Sequence, residues 1–121
     1  METQILFTVI PCYNEEEVLN ETAKRMKEKM ASLIEAGKIS PESKVMFVND
    51  GSKDSTWRII ESLHNEDRLF YGINLSRNRG HQNALLAGLM VAGEYSDMVI
   101  SMDADLQDDI DAIDEMVDKY Y

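Results

Sequence analysis

Short apolar runs alternate with longer amphipathic stretches four times along the chain. The runs are rich in β-branched and other large apolar residues, and each ends at a proline, asparagine, serine or aspartate, which is typical of buried strands that lead into loops. The four runs are Ile5–Ile10, Val45–Val48, Phe70–Leu75 and Met98–Met102. The pattern therefore predicts four short strands, each followed by a helix.

The stretches between the runs carry apolar residues three and four positions apart, as an amphipathic helix does. Asn14 with Glu17 three places on predicts a capped start for the first helix, and Gly37 predicts its end. Its apolar stripe consists of Leu19, Ala23, Met26, Met30 and Leu33. Further helices are predicted from about Ser55, over His81–Ala92 and over roughly Asp109–Tyr120.

Repeated strand-helix units predict an α/β fold, with an open, mostly parallel sheet and helices on both faces. The chain has 121 residues, of which 44% are hydrophobic, so residues 1–121 are expected to form one domain. The usual nucleotide-binding strand order, 3-2-1-4, would leave the fourth strand at an edge. Ligands bind outside the carboxyl ends of such strands, so functional residues are expected in the loops that follow them.

The formal net charge is -11, and nine acidic residues with one basic residue lie between Asp97 and Lys119. No segment offers the basic stripe that a nucleic-acid binder needs, so no nucleic-acid partner is expected. Cys12 is the single cysteine, which excludes an internal disulfide and favours a cytoplasmic setting. No apolar stretch reaches the roughly 18 residues of a membrane span, so this stretch of chain is expected to be soluble.

The loop after the fourth strand carries Asp103, Asp105 and Gln107 at alternate positions. In extended chain these side chains project the same way, and two carboxylates with an amide oxygen suit Mg²⁺ or Mn²⁺. Such a cation would neutralise a leaving diphosphate. In so acidic a segment the same spacing also arises by chance, and a helix cap with a solvated turn is the alternative.

The loop after the second strand places Asp50 at the strand end, where a carboxylate can accept hydrogen bonds from a base or a ribose. Gly51 would let the backbone approach a flat ring closely. The alternative is a tight turn into a helix capped by Asp54 or Ser55. Both readings remain open at this point.

The first and third loops also contain groups that suit a nucleotide. In the first, Pro11 restricts the turn and Tyr13 can stack on a base, although Tyr13 could equally be a surface aromatic and Asn14 a helix cap. In the third, Arg77 and Arg79 stand beside Gly80 at a helix start, a natural place for a diphosphate, although loop arginines are usually solvated. His81 can bind phosphate or cap the helix.

Taken together, the four loops resemble the successive signatures of family 2 glycosyltransferases with the GT-A fold, which has a Rossmann-like nucleotide-binding half. The segments are Ile-Pro-Cys-Tyr-Asn-Glu-Glu from residue 10, Val-Asn-Asp-Gly-Ser-Lys-Asp-Ser-Thr from 48, Asn-Arg-Gly-His-Gln-Asn-Ala from 78 and Met-Asp-Ala-Asp-Leu-Gln-Asp from 102. The last segment looks most like the polyprenyl-phosphate branch, which includes dolichyl-phosphate mannose synthases and undecaprenyl-phosphate glucosyltransferases.

The resemblance implies inverting transfer of a sugar from a UDP- or GDP-sugar to an acceptor such as a polyprenyl phosphate or a saccharide. It implies that the donor-binding residues are Pro11, Tyr13, Asn14, Glu15, Asp50, Arg79, Gly80, Asp103, Ala104 and Asp105. It implies that Mg²⁺ or Mn²⁺ is held by Asp103, Asp105 and Gln107. The whole enzyme would then work in the cytoplasm, at the inner face of a membrane.

Two features depart from that branch. Relatives continue Gln-Asp-Pro-Pro-Glu where this chain has Gln-Asp-Asp-Ile-Asp from residue 107, and His81 stands where they often have lysine. The family domain also continues through strands that supply the acceptor pocket and any catalytic base, so we expect this chain to be the donor-binding part, truncated at its C-terminus. Alone it should bind donor weakly and transfer little.

The truncation would expose Met98–Met102 as an apolar edge strand without proline or lysine, so self-association along this edge is expected. Two other classes of protein share the alternating pattern. A receiver-like signalling module would need paired acids after the first strand and an aspartate after the third, and the chain has neither. A catalytically silent nucleotide-binding module is the remaining alternative.

Overall fold

The computed structural model describes residues 3–104, 110 and 112–120. Its elements in chain order are β1 (Leu6–Cys12), α1 (Leu19–Glu35), β2 (Lys44–Asp50), α2 (Thr56–Glu66), β3 (Phe70–Leu75), α3 (His81–Tyr95), β4 (Met98–Ser101) and α4 (Ala112–Tyr120). The strands form one sheet in the order β3-β2-β1-β4, and every neighbouring pair is parallel. The predicted α/β class, the four strand-helix units and the strand order are confirmed.

Alternate residues of the strands face two separate cores. One face of the sheet packs against α1, α2 and α4, through residues such as Leu6, Phe47 and Phe70. The opposite face packs against α3, through Val9 and Val48 among others. The predicted placement of helices on both faces is therefore confirmed.

Small residues bring α3 close to the sheet. Ala84, Gly88 and Ala92 are its buried residues, spaced four apart on one side of the helix. A Cβ atom on Gly88 would lie 2.5 Å from Cγ1 of Val9 and 2.8 Å from Cγ2 of Val48, so glycine is required for this contact. Leu85 and Leu89 flank this side and are half-buried against the core, whereas Leu86 is 55% exposed.

The start of α1 differs from the prediction. The helix begins at Leu19, and Val18 occupies the N-cap position without a side-chain hydrogen bond. Asn14 lies in the preceding loop with a φ of 53°, and its side-chain oxygen accepts the backbone N–H of Lys53 at 2.9 Å. The predicted cap at Asn14 is wrong because a hydrogen bond from the neighbouring loop takes the acceptor that would have served the helix.

At α2, Asp54 rather than Ser55 provides the cap. Ser55 makes no side-chain cap, whereas Oδ1 of Asp54 accepts the backbone N–H of Thr56 at 2.9 Å. Burial alone would raise the pKa of the Asp54 carboxyl, but hydrogen bonds from the Thr56 hydroxyl and from the Thr56 and Glu16 backbone together lower it. Asp54 is therefore ionised at neutral pH, which suits a helix N-terminus.

Strand β1 runs through Pro11 to Cys12, two residues further than predicted. The Val9 carbonyl accepts the N–H of Met102 at 3.0 Å, so Val9 faces β4 and so does Pro11, two residues on. The last β1–β4 pair is Val9 with Ser101. Pro11 therefore lies beyond the end of this ladder, and its missing N–H costs no strand hydrogen bond.

Strand β4 pairs with β1 alone among the described residues, as expected of an edge strand. Its apolar side chains, however, do not form an exposed surface: Ile100 and Met102 are buried in the core beneath α1, α2 and α4, and Val99 is half-buried against the opposite core. Met98 and Met102 donate their N–H groups toward β1, so among the described residues the alternate Val99 and Ser101 direct their backbone N–H groups away from it. The predicted apolar edge surface is wrong, because the pleat directs these side chains to the sheet faces.

Helix α4 packs beside α1 on the first face. Ile113 and Val117 enter the core, and Lys29 of α1 lies 2.6 Å from the Asp114 carboxylate. Its predicted start, Asp109, lies outside the described residues. No helix in the described part of the chain is long and apolar enough to cross a membrane.

We predict that Gly88→Val lowers the free energy of unfolding by about 1–3 kcal/mol, because overpacking must push α3 away from the sheet. Gly93→Ala is the matched control on the same helix, since a Cβ atom there meets nothing within 4 Å. That variant should gain roughly 0.5–1 kcal/mol from reduced backbone entropy. Urea denaturation of both variants measures the difference, and equal stability would contradict the close contact.

We also predict that the chain self-associates through the backbone of β4. Ser101→Pro should reduce this association, because Ser101 directs its N–H away from β1 and proline removes that donor without breaking the β1–β4 ladder. Ser101→Ala keeps the N–H and is the control. Light scattering at micromolar concentration gives the measurement, and a monomeric unmodified chain would contradict the prediction.

Candidate functional site

The carboxyl end of the sheet carries a cleft of about 280 Å³. It is lined by Pro11, Cys12, Tyr13, Glu15, Asp50, Asn78, His81, Asp103 and Ala104. These residues come from the ends of β1 and β2, from the loops after β1, β3 and β4, and from the start of α3. The site is expected outside the carboxyl ends of the strands, and the described residues form a polar cleft at that place.

Asp50 ends β2 and is the most enclosed carboxylate of the cleft, with 3% of its surface exposed. One of its oxygens, Oδ1, accepts the backbone N–H of Arg79 at 2.6 Å. This bond ties the β2 end to the loop between β3 and α3. Asp50 consequently has a structural partner in addition to its place in the cleft.

Gly51 serves this contact between loops. Its φ is 66°, and a Cβ atom would lie 2.2 Å from the backbone nitrogen of Asn78. Any side chain would therefore displace the β3–α3 loop. The sequence suggested that Gly51 makes room for a ligand ring. In the structure Gly51 instead makes room for the backbone of the β3–α3 loop.

Tyr13 and Glu15 enter the cleft from the loop after β1, whereas Asn14 between them does not line it. Tyr13 is 42% exposed, so its ring is accessible to a flat ligand. Asn14 instead contacts the loop after β2 through its side chain and its backbone. The structure thus separates Asn14 from its two neighbours.

Cys12 lines the cleft but is nearly completely buried, and its thiol donates to the Ile10 carbonyl at 3.4 Å. Burial, with a smaller effect of the Glu15 carboxylate, raises the pKa of the Cys12 thiol far above its usual range. The thiol therefore stays protonated, and a protonated buried thiol is a poor nucleophile.

The third loop reaches the cleft through Asn78 and His81. Arg79 contributes its backbone N–H to Asp50, and its exposed side chain is not part of the lining. Gly80 precedes α3 with a φ of 89° and donates its N–H to Oδ1 of Asn78 at 3.0 Å. Asn78 is a lining residue that the sequence pattern did not predict, although it lies inside the segment that carries the resemblance.

Asp103 and Ala104 bring the fourth loop to the cleft. Asp103 is exposed there, while Ala104 is buried and its carbonyl accepts the hydroxyl of Thr22 on α1. The other predicted metal ligands, Asp105 and Gln107, lie outside the described residues. Within the described part of the chain no group of three His, Cys, Asp or Glu side chains could hold a metal ion. Metal binding at this loop stays a prediction.

The model of glycosyl transferase family 2 matches residues 8–121. The "Uncharacterized glycosyltransferase YkoT" of Bacillus subtilis is 49% identical over 117 residues, which are 97% of this chain and 35% of that protein. The "Bactoprenol glucosyl transferase" of Shigella phage SfV is 38% identical over 113 residues, 93% of this chain and 34% of that protein. This chain therefore spans about one third of the length of these relatives.

Among solved structures, S. aureus TarS 1-349 in complex with UDP superposes with a TM-score of 0.66 at 20% identity. The match covers 95% of this chain and 32% of that one, and it supports the GT-A-like α/β fold. A match of this extent to a glycosyltransferase fold, together with the family match, excludes the receiver-like alternative.

Proposed function

This chain belongs to glycosyl transferase family 2, and on that premise we propose that it is the donor-binding part of an enzyme that transfers a sugar from a nucleotide diphospho-sugar. The observation that carries the proposal is the convergence of Tyr13, Asp50 and Asp103 on one cleft at the carboxyl end of the sheet. The aromatic ring of Tyr13 suits stacking on a base. The enclosed carboxylate of Asp50 suits hydrogen bonds from a base or a ribose, and the accessible carboxylate of Asp103 suits a cation-bound diphosphate.

The nucleoside would lie between the loops after β1 and β2. Tyr13 offers an accessible ring for stacking, and Pro11 and Glu15 line the same part of the cleft. Asp50 can accept hydrogen bonds from the base or the ribose through the carboxylate oxygen that does not bond to Arg79. UDP is the first nucleotide to test, because the structurally similar TarS was crystallised with it; GDP is the second.

The diphosphate would lie near the start of α3. Helix α3 has 15 residues, and its first backbone N–H groups together with the helix dipole favour an anion beside His81. Asn78 lines the cleft next to this position, and Gly80 gives the backbone its turn into the helix. The guanidinium of Arg79 does not line the cleft in this structure, and it would have to extend toward the cleft to contact a phosphate.

The charge of the cleft supports a divalent cation. Glu15, Asp50 and Asp103 all line it, so a nucleotide diphosphate would meet repulsion unless a cation intervened. Mg²⁺ or Mn²⁺ would be held by Asp103, Asp105 and Gln107, and would neutralise the negative charge that develops on the leaving diphosphate. Among these three, Asp103 is the ligand that belongs to the described cleft.

The acceptor would be bound by parts of the protein that correspond to the remaining two thirds of its relatives. The name of the Shigella phage relative makes a polyprenyl phosphate the acceptor to test first, with a saccharide second. A phosphate acceptor is already an anion, so inverting transfer would need positioning at the anomeric carbon rather than a strong base. Such an enzyme would work at the cytoplasmic face of a membrane.

We predict that Asp50→Asn weakens UDP binding by roughly 1.5–3 kcal/mol, the scale of a hydrogen bond to a charged group. Asparagine keeps an oxygen for the Arg79 N–H, so the unfolding midpoint should stay unchanged. Asp50→Ala would lose that acceptor and is the less specific variant. Calorimetric titration measures the affinity, and wild-type affinity in Asp50→Asn would exclude Asp50 from the nucleoside site.

We predict that Asp105→Ala removes most of the gain in nucleotide affinity that Mn²⁺ provides, because it loses one carboxylate ligand. Asp111→Ala removes the same charge outside the Asp-x-Asp motif and is the matched control. The measurement is the ratio of UDP dissociation constants with and without Mn²⁺. The same ratio in Asp105→Ala as in the wild type would refute the metal site.

A further inference from the structure

The loop after β1 is joined by five hydrogen bonds, which run in both directions, to the loop after β2 and to Thr56, the first residue of α2. Three backbone N–H groups of the first loop donate to side chains of residues 52–56: Asn14 to Ser52 Oγ at 2.9 Å, Glu15 to Thr56 Oγ1 at 2.8 Å and Glu16 to Asp54 Oδ2 at 3.3 Å. Two backbone N–H groups of the second loop donate back: Lys53 to Asn14 Oδ1 at 2.9 Å and Ser55 to Glu16 Oε2 at 3.1 Å. We call this set of bonds the loop clamp.

Thr56 is the most enclosed member of the clamp. It has 0% exposed surface and does not line the cleft. Its hydroxyl donates to Asp54 Oδ1 at 2.5 Å and accepts the N–H of Glu15 at 2.8 Å. A single buried hydroxyl thus connects the cap of α2 to a residue that lines the cleft.

The second loop is itself anchored in the sheet. Asn49 on β2 donates its side-chain amide to Asn74 on β3 at 2.8 Å, and its side-chain oxygen accepts the N–H of Ser52 at 3.3 Å. Gly51 packs against the backbone of the third loop. The first loop is therefore held against a support that is fixed to two strands.

The clamp determines where two cleft residues lie. Asn14 has the left-handed φ of 53°, which reverses the chain between Tyr13 and Glu15, and the bond to Lys53 holds this conformation. Asp50 lines the same cleft and stands two residues before Ser52. The relative positions of Tyr13 and Asp50 consequently depend on contacts that no ligand makes.

We propose that Thr56 and Asn14 are positioning residues, which order the first loop before the nucleotide binds. This inference rests on the proposed binding of a nucleoside between Tyr13 and Asp50, and it moves Asn14 from a donor contact to a support for its neighbours. A loop ordered in advance spares the ligand the entropy cost of ordering it, so removing the clamp weakens binding without removing any ligand contact.

The test uses two variants of Thr56 in the full-length protein. Thr56→Val keeps the shape but loses the hydroxyl, whereas Thr56→Ser keeps the hydroxyl. UDP is titrated in the presence of Mn²⁺, and hydrogen exchange is followed at residues 13–16. Thr56→Val should raise the dissociation constant about tenfold and speed exchange in the loop, while Thr56→Ser should stay within about twofold of the wild type.

Asn14 gives an independent pair of variants. Asn14→Gly tolerates the positive φ but loses the acceptor for the Lys53 N–H, whereas Asn14→Asp keeps the acceptor. Asn14→Gly should therefore weaken UDP binding as Thr56→Val does, whereas Asn14→Asp should keep most of the wild-type affinity for UDP. In assays of transfer the two disruptive variants should raise the KM for donor more than they lower kcat.

Ile39→Val controls for general loss of stability. Ile39 is buried just before β2, at the opposite end of the sheet from the cleft, so the variant removes one core methyl group far from the loops. It should leave the UDP affinity unchanged. Equal UDP affinity of the wild type and Thr56→Val, or equal weakening by Ile39→Val, would overturn the inference. If the wild type bound neither UDP nor GDP, the proposed function itself would fail.

Discussion

Parallel pairing of β1 with both β2 and β4 is the constraint on which the rest of the structure depends. Because the strands run the same way, the loops that follow them all emerge at one end of the sheet, and residues from 11 to 104 meet in one cleft. Helix α3 follows β3, so its start lies at the same end, and Gly88 lets the helix pack closely against the sheet. The cleft is a consequence of strand direction before any single side chain is considered.

The side chains around the cleft divide into those that contact its space and those that hold the loops. Tyr13 and Asp103 belong to the first group, whereas Thr56 and Asn14 belong to the second. Asp50 belongs to both, since one of its oxygens fixes the third loop. A site in which the loops are held by one another can present a few groups in fixed positions, which is what recognition of a nucleotide needs.

The cleft is also strongly acidic. The enclosed carboxylate of Asp50 and the accessible one of Asp103 face the same space as Glu15, in a chain whose formal charge is -11. The first turn of α3 offers the opposite field close by. An anionic ligand would meet repulsion from these carboxylates, and this repulsion is the physical reason for including a cation in the proposed site.

The hydrophobic pattern by itself determined the four strand-helix units and their order along the chain, because the alternation of apolar runs and amphipathic stretches is a local property. It also determined which segments contribute to the cleft, since Pro11, Tyr13, Glu15, Asp50, Asp103 and Ala104 follow predicted strands. Only the tertiary structure decided what Asn14, Gly51 and Arg79 do. Each of these makes a backbone or side-chain contact with a loop remote in sequence, whose proximity results from the packed sheet. Tertiary packing also explains the wrong prediction for β4. Its apolar residues were predicted to form an exposed edge, but the helices on the two faces of the sheet cover them.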